Sequence, residues 1–144
     1  MIRALSSRIA NELASDALDQ NLRSVIKDAH DYLYRIWTQD LILSCLLRTP
    51  EEDKALYHDP NHEPGVHCFG RGADVSVRFM SSAEVSGLCN TINSSWQYDP
   101  SRPNMVVALY ESAGHQDSTA PHIHLQTHPA TSRIVKIAAD AVQA

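Results

Sequence analysis

At 144 residues, 43% apolar and 20% charged, the chain has the length and composition of one globular domain rather than of a coiled coil, a collagen or a disordered segment. A net charge of −5 and a pI near 5.8 argue against a basic, phosphate-tracking surface, so nucleic acid is not an expected partner. No apolar run approaches the roughly 18 residues of a membrane span, and Glu12 and Asp16 interrupt any signal-peptide core, which predicts a soluble, cytoplasmically made protein without a membrane partner.

In chain order, Ile2, Leu5, Ile9, Leu13 and Ala17 keep the i, i+3/i+4 rhythm of an amphipathic helix. Leu22, Val25, Ile26, Ala29, Leu33 and Ile36 repeat it, with Asp19-Gln20-Asn21 as the turn and cap between. Residues 1–37 are thus expected to be a helical part of a single domain and 38–144 its core. The helical part either packs on that core or serves self-association or docking to a larger assembly such as a virion.

The run Leu41 to Leu47, stopped by Arg48-Thr49-Pro50, reads as a buried strand, and residues 50–72 as one long loop. Ala73 to Phe79 alternates like a strand with one wet face. Ser81-Ser82-Ala83-Glu84 has capping-box spacing and opens a helix continued by Val85, Leu88, Cys89 and Ile92. Strands at Met105–Tyr110 and His122–Gln126 follow, and Ile134, Val135, Ala138, Ala141 and Val142 fit a closing helix. The expected class is α+β: a small antiparallel sheet flanked by helices. Cys45, Cys68 and Cys89 are an odd set without CxxC spacing and read as buried thiols.

Histidine is the anomaly. Eight histidines outnumber three lysines, and seven of them lie between His58 and His128. Imidazole is the commonest metal ligand and a proton shuttle near neutral pH. In His67-Cys68-Phe69-Gly70-Arg71-Gly72-Ala73-Asp74, two glycines can take positive φ and fold the chain back, aiming His67 and Asp74 at one point. The alternative is a glycine turn carrying a surface histidine. In Pro121-His122-Ile123-His124-Leu125-Gln126-Thr127-His128, the histidines share one strand face while Ile123 and Leu125 point to the core. That face is either a metal-binding face or a plain wet one. His115 and His128 read as surface residues beside the cleft.

Together the two segments resemble the LAS metallopeptidases, named for lysostaphin, the D-Ala-D-Ala metallopeptidases and sonic hedgehog. The nearer branch looks like the zinc D,D-carboxypeptidases and the phage endolysins that cut L-Ala-D-Glu bonds. His67, Gly70, Gly72 and Asp74 match that family's His-x-x-Gly-x-Ala/Gly-x-Asp signature, and His122-Ile123-His124 resembles its later histidine strand. The likeness spans roughly residues 38–128. It implies a hedgehog or D,D-peptidase-like fold, and Zn2+ held by His67, Asp74 and His124 with the fourth position left for water. His122 would be the general base and then the acid for the leaving amine. Arg48 would face the developing oxyanion. The substrate implied is a peptidoglycan peptide or another small peptide, and the setting a phage-encoded product.

The chain departs from the family pattern at Gly65, where a serine is usual, and at Pro121, where many relatives have glutamate. Glu111 and Asp117 are therefore alternative bases. The same departures leave room for a virion or binding module that keeps fold and metal without catalysis.

Overall fold

The computed structural model describes residues 1–112 and 120–135. Its elements run β1 (Ile2–Ala4), α1 (Ser7–Leu13), α2 (Gln20–Trp37), β2 (Leu41–Cys45), α3 (Pro50–Leu56), β3 (Gly72–Ser76), α4 (Ser82–Ser95), β4 (Trp96–Gln97), β5 (Ala108–Glu111), β6 (His122–Gln126) and β7 (Ser132–Arg133). A 3-10 turn over Val66–Phe69 precedes β3. The main sheet has the order β1-β2-β3-β6-β5, and β4 and β7 form a separate ribbon.

The α+β class is as expected, but the sheet is mixed: β1 lies parallel to β2, with Ile2 opposite Leu41. The other ladders of the main sheet are antiparallel. The expected helix from Ile2 gives way to this strand because β2 offers an unpaired edge, and a ladder satisfies backbone groups that a frayed helix end leaves to water. Residues 1–37 are thus not purely helical.

The amphipathic stripe of α2 is a core face as far as Leu33, whereas Ile36, expected to continue it, is exposed. Leu22, Val25, Ile26, Ala29 and Leu33 are all at most 1% exposed. They pack with Leu41 and Leu43 of β2, Ala73 and Val75 of β3, Leu88 and Ile92 of α4, and Ile123 and Leu125 of β6 in one cluster. Burying each large member removes it from water at a gain of about 1.5–3 kcal/mol. Because strand side chains alternate, filling one sheet face this way sends Asp74, His122, His124 and Gln126 to the other.

The loop expected over 50–72 contains α3 instead. Thr49 caps it with a full capping box to Glu52, and Pro50 takes the first helical turn, where a missing N–H costs nothing. The helix at Ser82–Ser95 starts at the expected Ser81 cap. β6 occupies the expected His122–Gln126, while β3 and β5 are shorter than their apolar patterns. Of the expected closing helix, Ile134 and Val135 lie outside any regular element and residues 136–144 fall outside the described residues. No helix among the described residues is long and apolar enough to cross a membrane.

Candidate metal centre

Four strands and one turn build the site. Register pairs Asp74 of β3 with His124 of β6, and His122 with Glu111 of β5, so these four side chains share the face away from the core. On β2 the ladder steps from Leu43↔Val75 to Cys45↔Asp74, two residues against one. This bulge at Ser44 turns Cys45 out of the core alternation and sets it beside Asp74.

His67 arrives from the 3-10 turn. Gly70 closes that turn at φ 69°, as expected for the left-handed region, and a Cβ there would lie 2.0 Å from the Ala17 carbonyl oxygen. Gly72 is needed for a different reason from the one its motif suggests. Its φ is not positive; a Cβ would meet Val66 Cγ2 at 2.8 Å and the His67 ring at 3.1 Å. The missing side chain makes room for the imidazole.

Asp74 is the hub. Its Oδ1 lies 3.2 Å from His67 Nε2, 3.2 Å from His124 Nδ1 and 3.6 Å from His122 Nε2. Two imidazoles are fixed from behind: His67 Nδ1–H donates to the Leu46 carbonyl at 2.6 Å, and His122 Nδ1–H to the Ala120 carbonyl at 2.8 Å. Each therefore presents Nε2 to the centre, the outer hydrogen bond that metal-ligating histidines ordinarily make. Glu111 Oε2 sits 3.1 Å from His122 Nε2. Cys45 Sγ lies 3.8 Å from His67 Nδ1.

The electrostatics of the cluster call for positive charge. Burial opposes a proton on His67, but the Asp74 and Cys45 contacts outweigh it and raise its pKa to about 10. Burial would likewise push the Asp74 carboxyl up, yet hydrogen bonds with His124 and His67 hold it far below the usual carboxylate range. A buried carboxylate that recruits a buried imidazolium is a setting in which a divalent cation would do the same work. Donor set, tautomers and charge all fit a metal ion.

Of the expected ligands, His67 and His124 each contact Asp74, but the three do not form one tight grouping, and His122 rather than His67 is grouped with His124. The tight groupings among the described residues are Cys45–His67–Asp74 and Asp74–His122–His124, each with ligand atoms within 4.8 Å of one another. Arg48 also reaches the site. Its Nη1 donates to Asp53 Oδ1 at 2.8 Å and its Nη2 to Cys45 Sγ at 3.5 Å. Asp53, only 1% exposed, further accepts from Gly65 N–H at 3.0 Å and meets His62 Nε2 at 3.1 Å.

Sequence reasoning passed over Asp53, His62 and the position of Cys45. An acidic residue at the third position after a Thr-Pro cap signals a helix, not a buried anchor, and a bulge leaves no mark in the sequence. Asp117 and His115 lie outside the described residues.

Two cavities meet at this point. One of about 280 Å³ is bordered by His62, His67, Glu111, His122 and His124, and a larger one of about 950 Å³ extends past Cys45 toward Val77, Met80 and Tyr110. Arg48, Asp74 and His122 border both. No family model, curated protein or solved structure matches the chain.

Proposed function

We propose that the protein is a zinc-dependent peptidase that hydrolyses an amide bond in a peptidoglycan peptide, of the D,D-carboxypeptidase or endolysin type. The observation that carries this reading is the gathering of His67, His122 and His124 around Asp74 at the junction of two cavities, beside the half-buried Arg48. The signature segments that resemble the LAS peptidases supply the substrate class.

His67, Asp74 and His124 are the residues that would hold the ion. A zinc ion held there would supply an acidified water and polarise the scissile carbonyl. The chain's own groups do the rest. His122 and Glu111, paired at 3.1 Å, take the proton from the attacking water and return it to the leaving amine. Arg48, aimed by Asp53, offers a guanidinium to the oxyanion. The apolar part of the larger cavity, with Leu56, Val77, Met80 and Val85, would seat the aliphatic part of the peptide and exclude water.

The test is turnover. Purified peptidoglycan and a D-Ala-D-Ala peptide are incubated with zinc-loaded protein, with and without chelator, and new amines are counted. Chelator-sensitive release is the expected result. A folded, zinc-loaded protein that releases no amine from either substrate defeats the peptidase reading and leaves a binding module.

A further inference from the structure

We infer that Tyr57, held flat against the ring of His62, is the specificity-determining residue of the smaller cavity: it limits that side of the cleft to one small residue, the one that departs with the leaving amine. This rests on the peptidase reading above and adds which flank of the scissile bond is selected by size, and by what.

The two cavities are unequal. The smaller, about 280 Å³, falls just under the roughly 300–1,000 Å³ of a pocket for a drug-sized ligand, and the larger, about 950 Å³, lies near the upper end. Tyr57, His62 and Glu111 border the smaller and not the larger. Glu111 is paired with His122, the group that returns the proton to the leaving amine, so the residue bearing that amine is the one seated on this side. The residue on the acyl side then lies in the larger cavity, against Leu56, Val77 and Met80.

Three features hold the Tyr57 ring as a wall. It stacks on the His62 ring, with centroids 4.1 Å apart and planes 20° from parallel. The backbone turns to allow this: His58 takes φ 54°, the left-handed position after a helix where glycine is usual, and the N–H groups of His58 and Asp59 close the end of α3 on the Ala55 and Lys54 carbonyls. The Asp59 carbonyl then accepts from His62 N–H, which brings His62 back over Tyr57. Finally, His62 Nε2 meets Asp53 Oδ2 at 3.1 Å, and the same 1%-exposed carboxylate accepts from Arg48. One buried carboxylate thus places both Arg48 and, through His62, the wall. The Tyr57 hydroxyl has no hydrogen-bond partner among the described residues, so the stack rather than a bond of its own fixes the ring.

The experiment compares ratios of kcat/KM. The zinc-loaded chain is given two series of N-acetylated dipeptides, D-Ala-D-X and D-X-D-Ala, with X alanine, leucine or phenylalanine. In the first series kcat/KM is expected to fall at least about 10-fold from alanine to phenylalanine, and in the second to change far less. Tyr57→Ala and His62→Ala should each shrink the first-series difference about 10-fold, whereas Tyr57→Phe, which keeps the stack, should preserve it. Zinc content and the urea midpoint tell a widened cavity from a damaged fold, and Tyr57→Val repeats the comparison if alanine lowers the midpoint. A wild-type chain indifferent to X in the first series, or a difference that survives both Tyr57→Ala and His62→Ala, overturns the inference while the peptidase stands. A wild-type chain that releases no amine from either series defeats the peptidase reading, and this inference with it.

Discussion

Asp53 is the buried anchor of Arg48, and Asp53→Asn removes its charge while keeping its shape. The Arg48 side chain is 13% exposed and that of Asp53 1%, so little water is at hand to compensate. Burial opposes both charges, but the pair wins: the Asp53 carboxyl titrates below, and the Arg48 guanidinium above, its ordinary value. Removing one partner of a buried pair costs about 3–5 kcal/mol, because the other charge stays behind. Asparagine still offers an oxygen to one of the three donors, so the lower end, about 3 kcal/mol, is expected. For a chain of this length that lowers Tm by about 9 °C. Urea unfolding of the metal-free protein reads the stability, and metal content of the loaded protein reads the site. The expected outcome is a lower midpoint, unchanged metal, and turnover reduced about 10²–10³-fold as Arg48 loses its aim. The variant Arg48→Met/Asp53→Leu should regain much of the stability and none of the turnover. A destabilisation under about 1 kcal/mol for Asp53→Asn would refute the buried-anchor argument.

Four further outcomes are expected. Gly72→Ala should weaken zinc binding measured by competition titration, because its Cβ presses on the His67 ring, whereas Gly70→Ala should lower the urea midpoint, because its Cβ meets the backbone of Ala17. Glu111→Gln should keep its metal and lose about 10²–10⁴-fold in kcat, and an unchanged kcat would remove Glu111 from the proton path. Zinc at about a thousand times its Kd should add about 4 kcal/mol to unfolding stability, reversed by chelator; an identical melt with and without metal would argue against a folded-state site. Backbone and side-chain hydrogen bonds from Ser101 pull the Asp99 pKa down to about 2, and hydrogen bonds from Arg8 do the same for Glu52. Both carboxyls are depressed in the folded state, so their stabilisation is present above the ordinary carboxylate range and lost as pH falls toward about 2. An Asp99→Asn variant should therefore show a shallower acid limb in urea midpoint against pH.

The site was more legible than the fold around it. The histidine strand read from period-two alternation is the observed β6, because its two core residues and its two site residues alternate without exception. The α2 stripe and the Ser81 cap were equally plain, being local signals. What escaped depends on partners distant in sequence. β1 is three residues long and exists because β2 runs beside it, 39 positions later. The α3 start carried its own evidence in Thr49, Pro50 and Glu52, but the proline that opens the helix also reads as the end of a strand. Gly72 was rightly singled out for a wrong reason: its use is clearance for a ring rather than a left-handed turn. Cys45 reached the site through a register slip, which alternation alone cannot announce.

Asp74 and His124 face each other across neighbouring strands although 50 positions separate them in the chain. An ion gripped by both acts as a removable cross-link, closing a long loop much as a disulfide would, and closure of a loop that size costs an unfolded chain several kcal/mol of entropy, of order 4. Loading the protein should thus slow amide hydrogen exchange most in β3 and β6, the two strands stitched together, and protect the termini least. A chain without that ion would then be looser at its centre.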